Sequence, residues 1–333
     1  MNLSNLTISQ NDEIFGFYVT NYLDLITRFV SFFVHILYGL IVFFNKKLHK
    51  RSYIYMHHVN FISFVYILHF MCYFFNRTVT LGDEYQLEET VCTLSEIVWR
   101  LLAFLRTYSI LLLAIYRYSA VSWLNIHKKL NSKLSYLMVP IGITWLMAGL
   151  FTLVVKLSLK TTYSRSFCTP GFAKRVSLII ANQVVTAILC NLIPVGLVVY
   201  IYTKILSQLH SKTTNLNKHT KQQNSSSSQS HLKFAKQFIL INIFNVLSSM
   251  VSIVVNVAMV LSSYQNFKYL DSDVEFVNVD DLFVELRPAF RAVFITLQTF
   301  VPILSIVYNP EIKCIRTFFK KSTTVSSSEV HQA

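Results

Sequence analysis

Seven long apolar stretches, at about 25–44, 53–75, 93–116, 134–157, 176–203, 234–262 and 288–308, limit what this chain can fold into. Each comes near the roughly 20 residues that a helix needs to cross a bilayer. The pieces between them are short and polar. A water-soluble helical domain would have to hide all seven stretches with almost no amphipathic surface to spare. The expected fold is therefore an all-α membrane protein, a bundle of seven transmembrane helices. Composition agrees: 53% hydrophobic residues, 14% charged residues and a mean hydropathy of +0.46 are membrane-protein values. The predicted organisation is a leader over 1–23, a bundle over 24–308, a short amphipathic helix over 309–321 and a tail over 322–333. Behind a polar, acidic leader and ahead of a basic loop, the first stretch reads as its own insertion signal rather than a cleaved secretory peptide.

Charge placement orients the bundle. Lys46, Lys47, Lys50 and Arg51 follow the first stretch, Lys128, Lys129 and Lys133 the third, and Lys212, Lys218, Lys221 and Lys233 the fifth. The positive-inside rule makes these loops cytoplasmic. Acidic residues gather on the other side: Asp12 and Glu13 before the first stretch, Asp83, Glu84, Glu88 and Glu89 after the second, and six carboxylates from Asp271 to Glu285 after the sixth. The expected topology is a multi-pass plasma-membrane protein with its amino terminus outside and its carboxyl terminus in the cytoplasm. Most of the net charge of +14 then lies on the inner face, where it suits anionic membrane lipid or an acidic partner. Basic inner loops are the ordinary signature of topology, so no nucleic-acid partner is expected. On the outer leader, Asn2-Leu3-Ser4 and Asn5-Leu6-Thr7 are glycosylation acceptors, whereas Asn224-Ser225-Ser226 is cytoplasmic and Asn76-Arg77-Thr78 lies close to the membrane.

The bundle carries no parts for catalysis. It has no carboxylate pair, no metal-spaced His/Cys cluster and no glycine-rich phosphate loop, so neither an enzyme nor a metal or cofactor is expected. His57-His58 and His69 come nearest to a metal site, and isolated helical histidines are usually structural. A transporter or channel is the competing class, but it would be expected to show internal repeats or helices broken by glycine and proline at mid-membrane; only seven glycines occur in the chain. Among the cysteines, Cys72, Cys190 and Cys314 fall in or at the ends of helices, where small apolar packing is their expected role. Cys92, at the start of the third stretch, and Cys168, between the fourth and fifth, both lie on the oxidising side, where a disulfide can form and draw the second outer loop over the bundle.

Several landmarks fall in a fixed order. Arg117, in Tyr116-Arg117-Tyr118, lies 25 positions after Cys92. Trp145 follows in the fourth stretch, Pro194 and Tyr202 in the fifth, Asn309-Pro310 at the end of the seventh, and Phe319 just beyond. With these residues the chain resembles the rhodopsin-like (class A) G protein-coupled receptors over roughly 20–321. The resemblance implies an extracellular ligand, a heterotrimeric G protein as partner, arrestin as a further one, and coupling through Tyr116, Arg117, Tyr118, Tyr202, Asn309 and Pro310.

The departures are as informative. Tyr116 replaces the motif's acidic residue, so the resemblance implies an Arg117 without its usual ion pair and raised basal activity. Asn60 matches the second-helix asparagine, but Val65 stands where the family keeps its sodium-binding aspartate. Arg106 falls near that region, where an arginine costs about 2.5–3.5 kcal/mol on insertion scales. Its fixed charge could substitute for the ion, with Asn60, Ser109 and Asn309 as conceivable acceptors; a snorkelling or purely structural arginine is the alternative reading. In the sixth stretch, aligning Phe244 with the inner phenylalanine puts Ser248 and Met250 at the family's tryptophan and proline places. Lys313 replaces the tyrosine of the Asn-Pro-x-x-Tyr motif.

Trp99 occupies the place of the acid that anchors amine ligands, and no lysine between Arg291 and Asn309 could carry retinal. The mouth instead offers Glu96, Trp99, Arg100 and Arg291, with Lys160, Arg165, Lys174, Arg175 and Arg287 around them. Mixed charge beside a long acidic third outer loop suits a peptide ligand, with a small molecule left open. Glu96 and Arg100 are also spaced i,i+4 and can pair with each other. On the cytoplasmic side, 207–232 is polar and ends in a serine run, so it is expected to be a disordered, phosphorylatable loop. The tail repeats the serine and threonine pattern, whose phosphates would recruit arrestin. Replacing Cys92 or Cys168 with alanine is expected to reduce surface expression or ligand response to similar extents. Peptide mapping of surface protein should recover the two cysteines in one disulfide-linked pair, and two free thiols would refute the staple.

Overall fold

A computed structural model describes residues 3–79, 85–158, 181, 184–219, 240–241, 243–251, 253–254 and 279–307. All the regular structure among them is helical. Helix α1 spans Leu3–Phe44, α2 Ile54–Val79, α3 Tyr85–Ser122, α4 Leu124–Ser132 and α5 Leu134–Ser158. A π turn at Ile188–Leu192 leads into α6, Ile193–His219. The helical residues within 240–254 form α7, and α8 spans Val279–Val307.

Four segments among the described residues are long and apolar enough to cross a membrane: Tyr22–Phe44, Thr93–Ser122, Leu134–Leu157 and Val184–Gln208. Ala292–Val307 is a shorter apolar helix. Outward-facing Phe33, Phe43, Leu146, Val154 and Tyr200 are all more than half exposed, as suits helices whose outer faces meet lipid rather than water. Helix α2 covers the predicted second stretch but carries His57, His58, Asn60, Ser63 and His69.

Helix α3 is the hub, packing against α2, α4, α5 and α6, while α1 lies chiefly along α8. Two apolar clusters fill the bundle. At the end carrying the lysine-rich loops, Tyr38, Tyr53, Met56, Leu113, Tyr116 and Tyr202 belong to one continuous core. Towards the other end, Ile62, Leu102, Phe104, Leu105, Phe294 and Ile295 form a second.

The π turn follows from Pro194. Proline brings no N–H to the helix ladder, and just before it Ile193 N–H bonds back to Ile188 O rather than to Leu189 O. The released Leu189 carbonyl is filled from α3, where Tyr108 Oη donates to it at 3.0 Å. A local backbone irregularity thus becomes a fixed α3–α6 contact. This is how non-helical hydrogen bonding survives where water is scarce.

Two boundaries differ from the sequence expectation. Helix α6 continues to His219, so the first part of the segment expected to be disordered is helical. Nothing in 207–219 is glycine or proline, and once a helix is nucleated each further residue adds a backbone bond at small cost. The rest of that loop, 220–232, lies outside the described residues. Likewise the leader is helical from Leu3, which makes α1 about 60 Å long at 1.5 Å per residue, roughly twice the hydrocarbon thickness.

Asp24 and Arg28, one turn apart at the start of the first apolar stretch, are buried together. Arg28 Nε donates to Asp24 Oδ1 at 3.1 Å, and Nη2 donates to Asp24 Oδ2. The remaining arm, Nη1, donates to Phe70 O on α2 at 3.1 Å, with the guanidinium 5.2 Å from the Phe70 ring centre. The pair is satisfied at both ends, so it ties α1 to α2 rather than leaving charge stranded. Removing one partner as Asp24→Asn or Arg28→Met is expected to destabilise the protein by about 3–5 kcal/mol, and the double apolar replacement by much less. Thermal unfolding of purified protein in detergent, read as a double-mutant cycle, checks this.

Candidate functional site

At the basic end of α3, Arg117 is half-buried. Its Nη2 donates to Ser52 O, ahead of α2, at 3.5 Å, and its guanidinium lies 5.6 Å from the centre of the Tyr116 ring. The phenols of Tyr202 on α6 and Tyr53 stand beside it. Arg117 is therefore not the unrestrained side chain that the missing acid suggested. The turn before α2 supplies an acceptor from 65 positions away in the chain, a contact that no local motif reveals.

Tyr116 points the other way, into a closed circuit with α4. Its Oη donates to Asn131 Oδ1 at 2.9 Å. Asn131 Nδ2 lies 3.1 Å from His127 Nε2, and His127 Nδ1 lies 3.2 Å from Ser119 Oγ. Ser119 Oγ in turn donates to Tyr116 O at 2.7 Å. That last bond uses the only hydroxyl hydrogen, so Ser119 must accept from His127 Nδ1–H, leaving Nε2 to accept from Asn131. The loop closes only around a neutral imidazole. Burial and then the nearby Arg117 charge both hold the His127 pKa below its ordinary value of 6.5. Aromatic packing reinforces the arrangement, with Tyr116 4.8 Å from the His127 ring and 5.0 Å from the Tyr55 ring. Tyr118 packs edge-on against Trp123 at 5.1 Å.

Mid-bundle, Arg106 is 5 % exposed. Its Nη2 donates to Ser248 Oγ on α7 at 2.5 Å, and its guanidinium lies 4.4 Å from the Phe294 ring centre on α8. Gln298 Nε2 donates to the same Ser248 Oγ at 2.5 Å, while Ser63 Oγ on α2 reaches Gln298 Oε1 at 3.4 Å. Four helices thus meet around one guanidinium. Two of the acceptors expected for it are turned to their own helices instead: Asn60 Nδ2 donates to Met56 O and Ser109 Oγ donates to Leu105 O, and no bond from Arg106 to either is found among the described residues. The third, Asn309, lies outside the described residues. Arg106 does not snorkel, because its nearest partners lie across the bundle axis on α7 and α8.

Towards the other end, Trp99 Nε1 donates to Tyr66 Oη at 3.1 Å, and Tyr66 meets the Phe70 and Phe294 rings at 4.8 and 5.7 Å. Trp99 is thereby part of an aromatic floor joining α3, α2 and α8. Arg100, next to it on α3, is half-buried. The backbones of Cys92 and Glu96 lie in α3, and that of Arg291 in α8, but their side chains are outside the described set. Asn5 lies in α1, whereas Asn2, Cys168, Pro310, Lys313 and Phe319 lie outside the described residues. Trp145 is held by a hydrogen bond from Nε1 to His58 Nε2 at 3.0 Å. Among the described residues no group of histidine, cysteine or carboxylate side chains is placed to hold a metal ion.

Sequence reasoning missed Asn131, His127 and Gln298 as partners of the conspicuous residues. Only Asn131 carried a signal, four residues after His127 on one helix face; the Gln298 contact depends on how α7 and α8 pack. Ser248 was legible as a substitution but not as the partner of Arg106.

The His127 circuit has a pH signature. Above about pH 6.5 the imidazole is neutral in both folded and unfolded chains, and the circuit contributes fully. As pH falls below the unfolded value, the unfolded chain takes up a proton that the folded one resists, so stability is lost. Thermal unfolding at pH 7.5 and 5.5 should show a smaller loss on acidification in His127→Gln than in the native protein; an equal loss would exclude the neutral-imidazole assignment.

The sequence profile of a family described as 7 transmembrane receptor (rhodopsin family) matches residues 36–285, about three quarters of the chain. No curated protein matches the chain significantly.

Proposed function

Because the chain belongs to the rhodopsin family of seven-transmembrane receptors, a class of multi-pass membrane proteins that signal through G proteins rather than act as enzymes, we propose that it is a plasma-membrane receptor for an extracellular peptide. Its amino terminus lies outside, with Asn2 and Asn5 glycosylated and Cys92 bonded to Cys168. The ligand engages the mouth at Glu96, Trp99, Arg100 and Arg291, above the aromatic floor. At the cytoplasmic face Tyr116, Arg117, Tyr118, Tyr202, Asn309 and Pro310 form the coupling surface. Arrestin binds the phosphorylated tail, and anionic lipid neutralises the basic loops.

The observation that carries the coupling reading is the setting of Arg117. It is seated at the basic end against a backbone carbonyl and an aromatic face, while Tyr116 is committed to the neutral circuit with α4. A contact of 3.5 Å to a neutral carbonyl is a weak tether compared with a carboxylate pair. The balance between resting and coupled states is then set by packing, and an outer ligand shifts it by its difference in affinity for the two. Ligand efficacy follows from the parting of α6 and α7 near Tyr202, which opens a seat for the G protein beside Arg117.

Tyr116→Asp places a carboxylate beside Arg117 and should lower ligand-independent signalling. Arg117→Ala should abolish coupling while surface expression persists. A promiscuous G protein reporter at matched surface levels reads both, and unchanged signalling in the two variants would refute the assignment. The same reporter screened against peptide and small-molecule libraries tests the ligand class.

A further inference from the structure

Arg106 is the most demanding group in the bundle. One arm donates to Ser248 Oγ and one face meets Phe294, but its buried Nε–H makes no hydrogen bond among the described residues. Ser248 has nothing left to offer. Its oxygen already accepts from Arg106 and Gln298 and donates its hydrogen to Asn245 O at 2.9 Å, which uses both lone pairs and the proton.

Asn245 supplies the second observation. It sits one turn before Ser248 on the same side of α7, is 1 % exposed, and neither atom of its side-chain amide has a hydrogen-bond partner among the described residues. Two buried donors from two helices, the Arg106 Nε–H and the Asn245 Nδ2–H₂, one turn before Ser248, therefore remain unused among the described residues. No carboxylate pairs with Arg106 among the described residues, and the sequence contains none between Glu96 and Asp271. A guanidinium in an apolar interior with unused donors and no counter-charge is costly. Water could satisfy the donors but would leave the charge uncompensated.

We propose that Arg106, with Asn245 as second donor, forms a mid-bundle site for a small monovalent inorganic anion, chloride being the species that fits best. Arginine is weakly hydrated and suited to buried pairing. The close packing of Ile62, Leu105 and Ile295 nearby favours a compact ion over a larger oxyanion. A bound anion would be a counter-charge to Arg106 and would stabilise the arrangement in which α3, α7 and α8 meet. The site is independent of the coupling reading, because it requires neither an agonist nor a G protein.

The test uses the purified full-length protein in detergent without ligand or G protein. Its melting temperature is followed as sodium gluconate is replaced by sodium chloride, sodium bromide or sodium nitrate at constant ionic strength. The expected result is a saturable stabilisation by chloride and bromide, weaker with nitrate, and no response when choline replaces sodium at constant chloride. Asn245→Ala should raise the half-saturating chloride concentration by roughly tenfold, the scale of one lost hydrogen bond to a charged group. Arg106→Gln should abolish the dependence and Arg106→Lys should retain it. Equal melting in chloride and gluconate overturns the proposal, as does a linear, non-saturating salt trend or a saturable chloride effect that persists in Arg106→Gln. Should Arg106→Gln fail to fold, the native titration and Asn245→Ala decide the matter.

Discussion

A polar group inside an apolar medium has to find its partner within the protein, and the arrangement of this bundle depends on that requirement. Helix α3 meets it repeatedly. Tyr108 satisfies the carbonyl released by the π turn ahead of Pro194, Arg106 reaches Ser248, and Tyr116 closes a circuit with α4. Each contact binds α3 to a different neighbour, which suits its place as the hub. Dispersion packing along Leu102, Leu105 and Leu113 supplies the bulk of the adhesion, but it is non-directional. The polar contacts select the register in which the helices meet.

Three arginines show how differently one residue type is accommodated. Arg28 has a carboxylate one turn away and a carbonyl on the next helix, so its charge is matched. Arg106 has a hydroxyl and an aromatic face, which answer its geometry in part and its charge hardly at all. Arg117 sits at the basic end, on a carbonyl and a tyrosine ring. A fully matched pair makes a stronger joint than a charge held by weak neutral contacts.

With Tyr116 in place of an acid, the basic end of α3 is held by neutral contacts rather than by an ion pair. An ion pair would act directly on Arg117. Tyr116 instead locks α3 to α4 through Asn131, His127 and Ser119, and leaves its ring as a platform for the arginine. Such a circuit is directional and cooperative, yet it carries no net charge, so it resists screening by salt and responds to protonation of His127.

Much of this could be read in the chain itself. Where they are described, the apolar stretches are helical because length and hydropathy are local properties, and Pro194 marks the π turn because a missing N–H acts within one turn. The family's landmark spacing from Cys92 to Arg117 likewise survives as a count along one helix. Even the Asp24–Arg28 pair is legible as an i,i+4 spacing at the edge of the first stretch. What the sequence could not state is which residues meet across helices. That Arg106 turns to Ser248 rather than Asn60 or Ser109, that Ser52 caps Arg117, and that Asn131 answers Tyr116 depend on helix rotation and axial offset. Those quantities come from the sum of many weak packing contacts over the whole bundle, so only the tertiary structure decides them.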